Sequence, residues 1–118
     1  MPANRTAVIG VGYLGRFHAQ KYAVLPGSQL VAVVDARAEA RDAVAAELVC
    51  RSVADYRELF GQVDAVSIAT PTPLHFTIAQ DCLEHGVHVL VEKPVTETPE
   101  QARALIASAA RHGCILQV

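Results

Sequence analysis

Three glycines near the start of the chain carry the strongest chemical signal in the sequence. Gly10, Gly12 and Gly15 have the spacing G-x-G-x-x-G and follow a short apolar run. In a strand-to-helix turn, the first glycine permits the tight turn, the second lets the backbone approach a pyrophosphate, and the third lets the helix pack closely. The N–H groups and positive dipole end of the helix would hold the phosphates. The pattern predicts a dinucleotide-binding loop, with Tyr13 and Leu14 among its cofactor contacts.

An acidic residue lies at the distance that such a loop requires. Asp35 ends a second apolar run and stands twenty residues after Gly15. A carboxylate at this interval accepts hydrogen bonds from the ribose hydroxyls of a dinucleotide. Arg37 complicates the choice of cofactor, because an arginine here could pair with the 2′-phosphate of NADP. We expect NAD, with NADP as the alternative. A carboxylate that only caps the following helix is the structural alternative for Asp35.

These residues need a sheet and helices to position them, and apolar runs alternate with helix-period segments along the whole chain. Most of the runs lack in–out alternation, which is typical of strands covered on both faces. The pattern predicts an α/β fold: a doubly wound parallel sheet (Rossmann fold) with strand order 3-2-1-4-5-6, in a single domain over residues 1–118. The predicted strands lie near residues 6–10, 29–35, 48–52, 65–69, 88–91 and 114–117.

Capping signals mark most of the predicted helices. Asp55 with Glu58, and Thr98 with Gln101, have the spacing of capping boxes, and Thr72 precedes a proline as an N-cap should. The first helix is expected to begin just after Gly12 and to end near residue 24, and the second to cover residues 38–48. The other three begin at residues 55, 72 and 98, and they end at the glycines at positions 61, 86 and 113, respectively. The apolar stripe predicted for the last helix consists of Ala102, Leu105, Ile106 and Ala109.

The turn after the fourth predicted strand is a second candidate for contact with the cofactor. In open parallel sheets, ligands bind outside the carboxyl ends of the strands, at the point where the strand order reverses. This turn lies opposite the glycine loop, so Thr70 and Pro71 could touch the dinucleotide while Thr72 caps the next helix. His75, in the first turn of that helix, is a further candidate, with a structural histidine as the alternative.

The turn after the fifth predicted strand reads Glu92-Lys93-Pro94. With the glycine loop and the T-P-x-x-x-H turn ending at His75, the segment G-V-H-V-L-V-E-K-P resembles the Gfo/Idh/MocA oxidoreductases over essentially the whole chain. The resemblance implies an NAD(P)-dependent hydride transfer to or from a sugar, polyol or nucleotide sugar. It implies that Lys93 reaches the substrate hydroxyl as a catalytic group beside the cofactor, and that Glu92 orients around the cofactor. An exposed lysine without a catalytic role is the alternative. Whether the Lys93-Pro94 bond is cis stays open.

The resemblance also implies a second, C-terminal α/β domain that supplies the substrate pocket and further proton-transfer groups. That domain is absent here, so we expect the chain to be the front part of a longer polypeptide and to bind dinucleotide with little or no turnover. Exposed apolar surface near residues 92–95 and at Val118 predicts homo-oligomers. The alternatives are a free-standing module that senses redox state and, less compatible with E-K-P, a methyltransferase.

Composition excludes several other classes of function. The 118 residues are 52% hydrophobic and carry a net charge of −2. The sequence has no cluster of Lys or Arg of the kind that binds nucleic acid. No apolar run approaches the roughly 20 residues that span a bilayer, and the first residues lack the apolar core of a signal peptide, so we expect a cytoplasmic protein without a membrane partner. The three cysteines and five histidines show no metal-ligand spacing, and no metal is expected.

Overall fold

A computed structural model describes residues 3–118. Six strands form one sheet: β1 (Asn4–Ile9), β2 (Ser28–Val34), β3 (Arg51–Val53), β4 (Ala65–Ile68), β5 (His88–Val91) and β6 (Leu116–Gln117). All pairs are parallel, and the strand order across the sheet is β3-β2-β1-β4-β5-β6. The predicted doubly wound sheet and its order 3-2-1-4-5-6 are therefore confirmed, and the order reverses between β1 and β4.

Four α-helices and two single 3₁₀ turns connect the strands. The helices are α1 (Tyr13–Val24), α2 (Ala38–Leu48), α3 (His75–Glu84) and α4 (Pro99–His112). The 3₁₀ turns are Tyr56–Leu59 and Thr72–Leu74. Each helix returns the chain to the start of the next parallel strand, as parallel connections require.

The sheet is covered on both faces, which explains its unbroken apolar strands. On one face, Val8 and Val33 pack with Ala19 of α1 and Val44 of α2. On the other, a larger cluster joins the alternate strand residues to α3 and α4. Neighbouring residues of a strand point to opposite faces, and the last three residues of β1, β2 and β4 are all buried.

Three local predictions differ from the structure. Helix α2 runs to Leu48 and ends on Val49 in the left-handed conformation (φ 57°), so β3 begins only at Arg51. The third helix is a 3₁₀ turn: the Asp55 carboxylate accepts from the Arg57 N–H at 2.9 Å, and within the described chain the Glu58 side chain forms no second capping bond. Thr72 is the first residue of a 3₁₀ turn and does not cap α3 with its side chain.

Helix α4 follows its predicted start but shifts its buried stripe. The Thr98 hydroxyl accepts from the Gln101 N–H at 3.2 Å, while the Gln101 side chain reaches back to Glu97, one residue before the expected partner. Leu105 is fully buried, whereas Ile106 is 63% exposed. The buried line continues through Ser108, because 3.6 residues per turn place position 108, and not 106, on the face of Leu105.

This difference generates the first prediction. Leu105→Ala should lower the free energy of unfolding by about 2–5 kcal/mol, because it opens a cavity between α4 and the sheet. Ile106→Ala, one position along the same helix, should change it by about 0.5 kcal/mol or less. Urea unfolding of both variants measures the two values. Equal losses would place Ile106 in the core and contradict the helix orientation.

Candidate dinucleotide-binding site

The β1–α1 turn is so tight that two of its three glycines are required by the fold. Gly10 has φ +91°, and a Cβ there would lie 2.7 Å from the Thr70 nitrogen. A Cβ on Gly15 would lie 1.7 Å from the Gly10 carbonyl oxygen. No side chain fits at that distance, so helix α1 begins in direct contact with the turn that precedes it. This is the close packing expected of the third glycine.

Gly12 differs, because the protein itself does not need a glycine at this position. Its φ is −71°, and a Cβ added there would have Arg37 Nη2 as its nearest neighbour, at an ordinary 3.6 Å. The space beside Gly12 opens into a cleft instead. Gly12 is also the N-cap of α1; over the described residues no side chain caps this helix, and its first turn contains no acidic residue. The helix end is therefore suited to an anionic ligand.

Asp35 lies directly beside the glycine loop. Its Oδ2 accepts from the Val11 N–H at 3.0 Å, and its Oδ1 accepts from the Arg37 N–H at 2.9 Å. The Arg37 guanidinium completes an ion pair at 3.2 Å. The carboxylate is 10% exposed while the Arg37 side chain is 61% exposed, so the acid is held in place and the arginine covers it from solvent.

Two opposing effects set the pKa of the Asp35 carboxyl. Burial alone would raise it, but the hydrogen bonds from the Arg37 side chain and from the N–H groups of Arg37 and Val11 outweigh burial, and the pKa is lowered. Asp35 is therefore ionised at neutral pH. An ionised carboxylate only accepts hydrogen bonds, which matches a ligand that presents hydroxyl donors.

A cleft of about 970 Å³ joins these parts at the carboxyl edge of the sheet. It brings the glycine loop, the turn after β2 and the turn after β4 together, as the reversal of strand order predicts. Of the predicted site residues, those that line the cleft are Gly10, Gly12, Tyr13, Leu14, Asp35, Arg37, Thr70 and Pro71. Tyr13 is 81% exposed, and Tyr56 and Ile78 also line the cleft.

His75 does not line this cleft. The imidazole is 1% exposed, and its nitrogens face two carbonyl oxygens: Thr70 at 2.8 Å and Pro94 at 3.0 Å. Carbonyls only accept, and a neutral ring donates to one of them at a time. Its position joins the turn after β4 to the E-K-P turn, so any influence of His75 on a ligand passes through Thr70.

The E-K-P turn also lies outside the cleft, and the Lys93-Pro94 peptide bond is cis. Lys93 is exposed and Glu92 is half-buried. The Glu92 carboxylate pairs with Nε2 of His18 at 2.6 Å. Sequence reasoning missed His18. The available signal was Ser67, a lone hydroxyl in a buried apolar strand, which needs polar partners on the facing helix.

Within residues 3–118 there is no group of three or more His, Cys, Asp or Glu side chains placed to hold a metal ion. None of the described helices is long and apolar enough to cross a membrane.

Comparison with known proteins agrees with the geometry. A model of an oxidoreductase family with an NAD-binding Rossmann fold matches residues 4–118. The UDP-N-acetylglucosamine 3-dehydrogenase of Acidithiobacillus ferrooxidans is 52% identical to this chain, over 97% of this chain and 36% of its own length. The solved structure of that enzyme superposes with a TM-score of 0.93, at 51% identity, and the match covers 99% of this chain and 38% of the other. A structure of GenD2 from gentamicin A biosynthesis in complex with NAD superposes with a TM-score of 0.94, at 32% identity over 99% and 34% of the two chains.

The fold and the cleft define a dinucleotide-binding domain of the Rossmann class. The match over residues 4–118 makes it more specific: the chain belongs to the Gfo/Idh/MocA oxidoreductase family. The chain spans about a third of the length of the relatives described above.

The different demands on the glycines give a second prediction. Gly12→Ala should cost about 1 kcal/mol of stability or less, because the methyl group meets no close neighbour, while the affinity for NADH should fall about tenfold or more, equivalent to about 1.4 kcal/mol. Gly15→Ala should cost about 3 kcal/mol or more, because the added carbon overlaps the Gly10 carbonyl. Thermal unfolding and calorimetric titration measure the two effects. If the Gly12→Ala protein bound NADH as tightly as the wild type, the phosphates would not bind at this loop.

Proposed function

We propose that this chain binds NAD in the cleft and forms the cofactor-binding part of a dehydrogenase that acts on a carbinol carbon of a sugar, polyol or nucleotide sugar. The observation that carries the proposal is the placement of the ionised Asp35 carboxylate directly against the glycine loop, in the same cleft as the uncapped start of α1. This pairs a site suited to phosphates with a site suited to ribose hydroxyls in one cleft, the combination that dinucleotide-binding domains use.

Each part of the cleft has a distinct task in this proposal. The backbone of Gly12, Tyr13 and Leu14 at the start of α1 binds the pyrophosphate. The Asp35 carboxylate accepts the adenosine ribose hydroxyls, and Thr70 with Pro71 forms the opposite wall. When bound, the nicotinamide ring accepts or donates the hydride.

Lys93 would act beyond the cleft, toward the substrate. We propose that its ammonium group holds the reacting hydroxyl of the substrate and takes part in moving its proton, a role suited to a flexible cation with several donors. Relatives support the substrate class: one is named for UDP-N-acetylglucosamine and another for scyllo-inositol. Both of these compounds carry hydroxyl groups on secondary ring carbons, the kind of alcohol that an NAD-dependent dehydrogenase oxidises.

The preference for NAD over NADP rests on charge. A 2′-phosphate would have to sit beside the Asp35 carboxylate, which already uses the nearest cation, Arg37, as its partner. Breaking that pair would leave a partly buried negative charge next to the incoming phosphate. The ribose hydroxyls of NAD impose no such cost.

The negative charge of Asp35 leads to the third prediction, which also tests the proposed function. Calorimetric titration of the wild-type chain should show NADH binding at least about tenfold more tightly than NADPH, a difference of about 1.4 kcal/mol. Asp35→Asn should lower the affinity for NADH and reduce the ratio of the NADH and NADPH affinities. Arg37→Ala should lower the affinity for NADPH further and change the affinity for NADH little.

Asp64→Asn is the matched control, because Asp64 also accepts a backbone N–H and a guanidinium, from Arg5 at the opposite edge of the sheet. It should leave both affinities unchanged. If the wild type bound neither NADH nor NADPH, the proposed function would be refuted. If it bound NADPH more tightly than NADH, Arg37 would be the residue that recognises the cofactor at this position, through its 2′-phosphate.

The fourth prediction concerns Lys93 in the full-length polypeptide. Lys93→Ala should lower kcat by about 10²-fold or more, as loss of a general acid–base group does, with the Kd for NADH unchanged within about threefold. Lys21→Ala is the charge-matched control, since Lys21 is exposed on α1 and is the other lysine of the sequence. Equal losses in kcat and in cofactor affinity would indicate that Lys93 binds the cofactor and is not a catalytic group.

A further inference from the structure

A partly buried chain of polar side chains crosses the interface between α1 and the sheet, outside the cleft. The Tyr22 hydroxyl lies 2.5 Å from the Ser67 hydroxyl, which lies 3.0 Å from Nδ1 of His18. Nε2 of His18 lies 2.6 Å from the Glu92 carboxylate. Ser67 is fully buried and His18 is 19% exposed. Four polar side chains are thus connected in a place where neighbouring positions are apolar.

Strand geometry explains why these four residues meet. Ser67 pairs with Val8 in the sheet register and points to the same face as Val8, toward α1. His18 and Tyr22 are four residues apart on α1 and so lie on one side of the helix. Leu90 is the partner of Ser67 on β5, and Glu92, two residues later, returns to the face of Leu90 because side chains alternate.

The hydrogen bonds can be satisfied in one consistent direction. The Glu92 carboxylate only accepts, so Nε2 of His18 must carry the proton of that bond. In the neutral ring, Nδ1 then accepts from the Ser67 hydroxyl, and Ser67 accepts from Tyr22. Every donor has an acceptor, which is the condition for burying a polar network.

We propose that His18 is a positioning residue: its Nε2–H holds the Glu92 carboxylate and thereby fixes the E-K-P turn that presents Lys93, while Ser67 and Tyr22 complete the hydrogen bonds on the Nδ1 side of the ring. This inference rests on the proposed function, because it assigns His18 to the same reaction. His18 acts through Glu92 and touches neither cofactor nor substrate. Its effect should therefore appear in turnover and not in cofactor affinity.

The first test is spectroscopic and needs neither cofactor nor substrate. Nitrogen chemical shifts of His18 in the ¹⁵N-labelled chain at pH 8 should show a protonated Nε2 and an unprotonated Nδ1. Glu92→Leu removes the acceptor that requires the proton on Nε2 and should move both shifts toward the averaged values of a ring that exchanges tautomers. His112, whose Nδ1 contacts the carbonyl of Ser108 on its own helix, is the internal control and should not move. Averaged shifts for His18 in the wild type would overturn the proposal.

The second test separates positioning from structure in the full-length polypeptide. His18→Leu and Glu92→Gln should each lower kcat about 10- to 100-fold, the scale of a small misplacement of a reacting group, with the Kd for NADH within about twofold of wild type. The double variant should be no worse than the poorer single one, because both remove the same link. His18→Gln, whose amide N–H can replace Nε2–H, should recover much of kcat.

Three outcomes would overturn the proposal: an unchanged kcat in His18→Leu, a parallel loss of kcat and NADH affinity, or no recovery in a folded His18→Gln protein. His112→Leu should leave kcat and Kd at wild-type values. Failure of the proposed function is distinguishable, because it would appear in the wild type as absence of NADH binding, whereas failure of the His18 inference appears in the variants of a protein that binds.

Discussion

The contact between the start of α1 and the Gly10 carbonyl is the constraint on which the rest of the site depends. A Cβ on Gly15 would stand 1.7 Å from that oxygen, so the helix can approach the turn only because no Cβ is present. This approach directs the uncapped end of α1 into the cleft. It also lowers the next turns of the helix onto the sheet, where His18 and Tyr22 reach Ser67. One glycine therefore positions both the surface suited to phosphates and the polar chain that ends at Glu92.

The E-K-P turn is held from the two faces of the sheet by different histidines. His18 reaches Glu92 from α1, and His75 reaches the Pro94 carbonyl from α3. Because His75 also contacts the Thr70 carbonyl, one buried imidazole packs between the turns after β4 and β5 and can donate to either of them. Lys93 lies between the two held residues while remaining exposed. The arrangement fixes the backbone on either side of the lysine and leaves its side chain free, which suits a group that must meet a substrate.

The sequence was sufficient for the features that depend on local pattern. Unbroken apolar strands predict a sheet covered on both faces, and the spacing of Gly10, Gly15 and Asp35 places the turns that form the cleft. The features that it did not yield depend on contacts between distant segments. His18 and Glu92 are 74 residues apart, and only the strand register brings them together. Ile106 fits an apolar stripe equally well on paper, but tertiary packing decides which side of α4 meets the sheet, and it selects Leu105 and Ser108.

The cleft is prepared before a ligand enters it, except at one position. The Val11 N–H donates to the Asp35 carboxylate, so the glycine loop and the acid are held in fixed relative positions without a ligand. A preorganised site loses little conformational freedom on binding, and more of the contact energy therefore appears as affinity. Arg37 is the exception, because its exposed guanidinium covers the carboxylate, and in the proposed NAD site it would have to shift aside for the ribose hydroxyls to reach Asp35. In the proposed complex, ribose hydroxyls would replace hydrogen bonds that the carboxylate gives up when Arg37 moves. A 2′-phosphate would add a like charge beside Asp35 and bring no hydroxyl proton in their place, which is the physical basis of the proposed preference for NAD.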